Sequence, residues 1–473
     1  MKNKHLPFWL FTISAFSALL LPALLQDGMF LDGLVNSSIS RNIAKGEGGF
    51  WALQYTKTLG NQFYDQLPLA IGLQSLLFKI FGDHLFVERI FSLLAALITA
   101  AYIIKIWKHI FRDNTEIEKL GWLPFLFWII TPVVFWSYSN NMLENTMAVF
   151  DIVAIYLIIK ALDTNEKMFL RLSIAGVLIL SAFLSKGPVG IFPFATVFIY
   201  WLCFKNLSFS RATIYSAIVF LTAAFLLLLL FLFEQNAIYY VSKFLSHQVV
   251  SSVEGKRELA PNRFFIVKRL LSELIPIMIL ILSIFITSKI KQVKIQAKSN
   301  NRKLIFFLLV AVSGSLPILI SLKQSGYYLV PSFPFFALTA GIFAVSWLNP
   351  LMQKIKAESR GFRLVTLITL ILLFGTLLFS FMQTGKIGKN KLVVKDIHTI
   401  GKIVPGNSII SICPNLKCDW GLYAYMMRYF SISLDEKNQH EFYVTEKNCK
   451  NEMNIDYRKL ETNTTIYEIY EHK

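Results

Sequence analysis

The chain is poor in charge, and in acids above all. Charged residues fill 16% of its 473 positions, with 29 Asp and Glu against 47 Lys and Arg. That is too little charge for an ordinary soluble domain. Walker and Rossmann glycine loops are missing, which argues against an ATP-driven pump. No segment repeats at a fixed period, so solenoids and arrays drop out. Cysteines number four. Cys203 lies in an apolar run, where packing suffices as its role. Cys413, Cys418 and Cys449 lie in a polar tail, with a single C-x-x-x-x-C and no matching His cluster to suggest a zinc site.

What the chain has is apolar surface. The hydrophobic fraction is 55% and the mean hydropathy is +0.53. Apolar runs of about 20 residues recur, each long enough to span a bilayer core as a helix. A transmembrane β-barrel would show short alternating segments instead. The expected class is therefore an all-α polytopic membrane protein. The net charge of +18 follows the bias of Lys and Arg toward inner loops. No basic surface or motif outside the membrane runs suggests a nucleic-acid partner.

Helices are expected near residues 6–25, 85–107, 120–138, 146–161, 172–184, 189–204, 212–233, 265–287, 304–321, 328–347 and 364–382. That makes about eleven crossings. Lys2 and Lys4 set the N-terminus inside, and the first run reads as an uncleaved helix because no small-x-small site follows it. An odd number of crossings leaves the C-terminus outside the cytoplasmic (inner) membrane. The predicted division is a membrane domain over residues 1–383, with outer loops at 26–83 and 234–262, and a small extracytoplasmic α+β domain over 384–473. Short β-prone pieces at 407–412 and 464–469 support the latter. Cys413 and Cys418 bracket Pro-Asn-Leu-Lys, a spacing that allows a disulfide without demanding one.

The sparse chemistry collects on the predicted outer side. Asp32 opens a run in which Leu34, Val35, Ile39 and Ile43 recur at helical spacing with Asn36, Ser37, Ser40 and Arg41 between them. This reads as an amphipathic helix at the interface. Asp32 there is either a helix cap or a group that works on substrate. Glu144 stands at the outer start of a helix, favoured by the dipole or held for chemistry. Lys186 precedes Gly187-Pro188 and either snorkels to the interface or meets a phosphate. His247, Lys243, Lys256 and Arg257 share the second outer loop, and Lys323 and Tyr328 occupy a later outer turn. A phosphate-linked lipid substrate would need such cations, and an acid to activate or orient an incoming hydroxyl.

Four stretches now resemble a known family in their expected order. They are Asp32 with Arg41 nine residues on; YDQLPLAIGLQSLLFKIFG…ERIFSLL at 64–94; AFLSKGPVGIFP at 182–193; and SLKQSGYYLVPSFPFFAL at 321–338. The chain resembles the GT-C glycosyltransferases of the protein O-mannosyltransferase and lipid A aminoarabinose transferase type, over about residues 6–347. Glu144 falls where the family carries its second acid. Three positions depart: Gly33 stands where the family has Glu, and Gln66 and Leu67 stand where it has Lys and Pro. The resemblance implies an inverting transferase that takes a sugar from a polyprenyl-phosphate donor in the membrane lipid. The acceptor would be a lipid, a glycan or a protein. It implies Asp32 and Glu144 as catalytic acids and Arg41, Gln66, Lys186, Lys243, Arg257, Lys323 and Tyr328 as substrate contacts. By analogy with some relatives, Asp65 and His247 would ligate a divalent metal. Two other classes share the composition. A flippase for a lipid-linked sugar would need broken helices and internal symmetry. A polysaccharide polymerase or ligase would use similar lipids.

Overall fold

Backbone groups inside a bilayer must find partners within their own segment, so long apolar runs become helices. The computed structural model describes residues 4–59, 63–293, 300–447 and 457–473. Among them, nine helices are long and apolar enough to cross a membrane: Leu6–Leu25, Val87–Ile110, Leu143–Thr164, Met168–Lys186, Phe209–Phe233, Phe265–Ile290, Asn301–Ile320, Gly326–Gln353 and Arg360–Phe381. Thr115–Ile129 and Pro132–Ser139, bent by 76° to each other, pass the same test together and make a tenth when counted as one broken span. Pro188–Phe204, the remaining predicted crossing, is a shorter apolar helix. All the predicted runs are thus helical, and proline accounts for the two that fall short as straight spans. Pro132 follows the bend, while Pro188 and Pro193 hold Pro188–Ala195 in a tighter 3-10 winding. The chain is a multi-span helical membrane protein with a small C-terminal sheet. The most basic loop, 289–303, is only partly within the described residues.

Two compact units divide the chain. The first comprises Met1–Pro22, Ser92–Ser139 and Leu143–Met382. Within it, Leu143–Thr164 packs along Met168–Lys186 and against the Gly326–Ser332 turn. The bend at Pro132 frees backbone donors, and the Val133 N–H is met at 2.6 Å by Glu273 Oε2. Arg269 neutralises the other oxygen of that carboxylate at 2.6 Å. An acid inside a spanning helix thus closes a broken neighbour.

The second unit comprises Ala23–Phe91, Asn140–Met142 and Gln383–Lys473. Its sheet has strands β1 (Ile409–Ile412), β2 (Ser433–Asp435), β3 (Phe442–Glu446), β4 (Tyr457–Lys459) and β5 (Tyr467–His472), in the order β2-β1-β3-β5-β4. β1 runs parallel to β2 and β3, and the other pairings are antiparallel. The parallel β1–β2 pair needs a crossover, which the Trp420–Phe430 helix supplies. The tail was expected to stand apart from residue 384 onward. Its core instead includes Met29 and Leu34 of the first loop beside Val394, Ile410, Leu422 and Val444. The apolar stripe of the Leu31–Lys45 helix needs cover, and the tail gives it.

Two polar anchors fix this unit. Arg428, 1% exposed, pairs with Glu88 at 2.8 Å and Asp83 at 2.9 Å. Asp27 accepts from His398 Nε2 at 2.7 Å, from the Gly28 N–H at 2.7 Å and from the Tyr429 hydroxyl. Cys413 is disulfide-bonded, whereas Cys418 carries a free thiol, so these two do not pair with each other. Cys449 lies outside the described residues.

Burial alone would raise the Asp27 carboxyl, but the His398, Tyr429 and Gly28 hydrogen bonds hold it below the usual carboxylate range. A carboxyl lower in the folded than in the unfolded chain adds stability above its unfolded value, about pH 3.9. It loses that contribution as pH falls through the folded value. Asp27→Asn should therefore flatten the fall in melting temperature between about pH 5 and pH 3. Melting curves of wild type and variant across that range check it, and parallel slopes would remove Asp27 from the acid response.

Candidate active site

Asp32 sits in the first turn of the Leu31–Lys45 helix. The residue at the cap position is Phe30, and no side chain caps this helix. The carboxylate is half-buried and makes no hydrogen bond or ion pair among the described residues. Capping, the structural reading of Asp32, is therefore not what it does. Gly33 next to it has a steric cause. A Cβ there would lie 2.1 Å from the Asn140 carbonyl oxygen and 2.5 Å from Met29 Sδ. The Glu that the family carries at this place cannot fit that approach.

The same helix corrects one expectation. It is amphipathic as predicted, but Asn36, Ser37, Ser40 and Arg41 are buried rather than facing an interface. Ser40 Oγ lies 2.9 Å from Gln74 Oε1, Gln74 Nε2 donates to Asn141 Oδ1 at 2.9 Å, and Asn141 Nδ2 donates to Ser37 Oγ at 3.0 Å. Arg41, expected to contact substrate, is 1% exposed. Its guanidinium donates to the Met427 and Arg428 carbonyls at 2.7 and 3.1 Å. Those are last-turn carbonyls of the Trp420–Phe430 helix, a natural seat for a cation. Burial lowers the Arg41 pKa to about 10, against the pull of Asp83. Arg41 anchors the helix that carries Asp32.

In the first unit, two predicted site residues meet. Glu144, 0% exposed in the first turn of Leu143–Thr164, lies 3.3 Å from Lys186 Nζ, whose side chain is 13% exposed. The Lys-Gly-Pro turn builds this contact. Met168–Lys186 ends at Gly187 with φ 103°, a conformation that glycine tolerates. Pro188 then starts the 3-10 turn, and Gly190 packs so closely that a Cβ would lie 2.9 Å from the Ala182 backbone. Lys186 is thereby held at the end of its helix.

The loop at 234–262, predicted to lie outside, folds as Gln235–Phe244, the π-helical turn Leu245–Val250 and Ser251–Val253. Backbone bonds from Leu322 to Ser252 and from Ala260 to Leu322 tie it to the turn that carries Lys323. Gln324 joins the same turn to the Phe265–Ile290 helix by accepting from the Ile266 N–H at 2.8 Å. Lys243 lies 5.5 Å from the Tyr239 ring centre. Half-buried Arg257 has no ion pair or hydrogen bond among the described residues. Tyr328 lies in the Gly326–Ser332 turn, edge-on to Tyr327 at 5.0 Å. In the second unit, Asp65 is exposed and Gln66 half-buried just before the Pro68–Phe81 helix. His247 is exposed in the first unit. Among the described residues, no group of three or more His, Cys, Asp and Glu could hold a metal.

Sequence reasoning missed Glu273, Gln74, Asn141 and Arg428 as fixing groups. Only their polarity within apolar surroundings could have flagged them.

The comparisons with known proteins agree with this architecture. A family model described as dolichyl-phosphate-mannose-protein mannosyltransferase matches residues 65–234. The crystal structure of ArnT from Cupriavidus metallidurans bound to undecaprenyl phosphate is similar over 97% of both chains, at 12% identity and a TM-score of 0.66. Its apo form has a TM-score of 0.63, also at 12% identity, over 97% of this chain and 96% of that one. An apo oligosaccharyltransferase of Archaeoglobus fulgidus is similar over 91% of this chain and 64% of its own, at 12% identity and a TM-score of 0.55. No curated protein sequence matches the chain. These matches agree with the resemblance read from the motifs, and the chain shares the fold of the ArnT structures.

Proposed function

We propose that the chain transfers a sugar from a polyprenyl-phosphate donor to a lipid, glycan or protein acceptor at the outer face of the cytoplasmic membrane. The observation that carries this reading is the half-buried, unpartnered carboxylate of Asp32, on a helix whose other polar side chains are mostly engaged. The acceptor oxygen would bond to the anomeric carbon as the bond from that carbon to the phosphate oxygen breaks. Attack from the opposite side inverts the configuration. Asp32 would take the acceptor's proton, or only orient an acceptor that is itself a phosphate. Polyprenyl phosphate leaves with the bond electrons. It is a weak base, so cations can stabilise it without a proton donor. Lys186, Lys243, Arg257 and Lys323 are the candidates, with Tyr328 and Gln66 as further contacts. Glu144 would act through Lys186, by fixing its ammonium.

The undecaprenyl phosphate bound to the ArnT neighbour supports the donor class. The disulfide-bonded Cys413 supports a tail in an oxidising compartment, hence an outside C-terminus and, by an odd crossing count, an inside N-terminus. The test is label transfer in purified membranes from a panel of undecaprenyl-phosphate-linked hexoses and pentoses. At least one donor should give labelled product and free undecaprenyl phosphate. A protein that carries these lipids across the bilayer with no cleavage of the sugar–phosphate bond would be a flippase, and the transferase reading would fall.

A further inference from the structure

The Leu31–Lys45 helix holds a second polar side chain with nothing to bind. Asn36 is 1% exposed, and neither its amide oxygen nor its amide nitrogen has a hydrogen-bond partner among the described residues. Burying an amide in that state works against folding. The other buried polar side chains of this helix do not share the defect. Ser37, Ser40, Gln74 and Asn141 satisfy one another, Ser38 bonds the Leu34 carbonyl, and Asn42 donates to the Gln54 and Tyr55 carbonyls. Asn36 follows Asp32 by four residues, so the two lie one above the other on a single helix face. An acid and an amide, both unengaged, thus adjoin in the second unit beside a closed network that fixes their helix.

The two ends of the amide identify what would suit it. One end donates and the other accepts. A phosphate oxygen would satisfy the nitrogen and leave the oxygen orphaned, and a polyprenyl chain would satisfy neither. A hydroxyl gives one hydrogen bond and takes others, and adjacent hydroxyls on a ring can meet both ends of the amide at once. We propose that Asn36 is a specificity-determining residue that binds hydroxyls of the transferred sugar beside Asp32, an inference that rests on the glycosyltransferase reading above.

The test separates the sugar from its carrier. Binding of undecaprenyl phosphate and of undecaprenyl-phosphate-linked monosaccharides to the purified full chain is measured for wild type, Asn36→Leu and Asn36→Asp. Leucine keeps the branched shape of Asn36 and removes both polar ends. Aspartate keeps the shape and removes the donor. Loss of hydrogen bonds to a neutral group should weaken the glycosylated lipid by about tenfold in each variant. Affinity for undecaprenyl phosphate itself should not change. Asn36→Leu should melt at or above the wild-type temperature, since it removes an unmet polar group from a buried position. Equal weakening of both lipids, no weakening of either, or a lower melting temperature for Asn36→Leu would overturn the assignment. A wild type that binds the bare lipid phosphate but no glycosylated form would instead sink the transferase reading beneath it.

Discussion

Asp32→Asn should lower the rate of sugar transfer by about 10²–10⁴-fold, the range in which a positioned acid or base contributes. Asparagine keeps the volume and the branched shape, but at neutral pH it accepts no proton. The folded state should barely register the change. Asp32 has no partner among the described residues, and the helix is uncapped by any side chain. All that is lost is the interaction of a carboxylate with the helix N-terminus, about 0.3–1 kcal/mol. A large fall in rate with an almost unchanged melting temperature is therefore the expected pair of results. The pH profile then separates two roles for the carboxylate. If Asp32 removes a hydroxyl proton, the acidic limb of the kcat/KM profile belongs to it and disappears in the variant. If the acceptor is a phosphate, the limb remains while KM for the acceptor rises. A rate equal to wild type in both acceptor classes would take Asp32 out of the chemistry.

Much of this architecture was legible because lipid leaves the chain few choices. Apolar runs of spanning length have to be helical, and each predicted run is. The Lys-Gly-Pro turn was legible for a local reason: Gly187 needs a positive φ, and Pro188 cannot extend the helix. The pairing of Lys186 with Glu144 was not, since residues 42 positions apart meet only through the packing of two helices. The Leu31–Lys45 helix shows a different limit. Its periodicity fixes which side is apolar but not which side is covered. The sequence suggested a polar face in water, whereas Ser40, Ser37 and Arg41 found partners in Gln74, Asn141 and the end of the Trp420–Phe430 helix. Those partners come from distant parts of the chain and carry no local signature. Asn36 was visible as a polar residue at a helical position, but only packing reveals that it alone on its face has both amide ends unmet.

Lys186→Met should cost about 3–5 kcal/mol of stability, because it takes away the ammonium 3.3 Å from a carboxylate with no exposure. Glu144→Gln should cost less, since the Lys186 side chain is 13% exposed and its ammonium can turn toward water. The double variant Glu144→Gln/Lys186→Met should recover most of the loss, because neutralising both sides of a buried pair removes the desolvation penalty along with the attraction. Unfolding of all four proteins in one detergent measures this cycle. Transfer measured on the same set then asks what the pair is for. If the lysine ammonium supports the departing phosphate, restoring the fold does not restore the rate, and the double variant stays as inactive as Lys186→Met. If the pair serves only to join Leu143–Thr164 to Met168–Lys186, transfer returns with stability. Recovery of transfer in the double variant would confine the Lys-Gly-Pro turn to packing. The cations for the leaving group would then have to come from Lys243, Arg257 and Lys323.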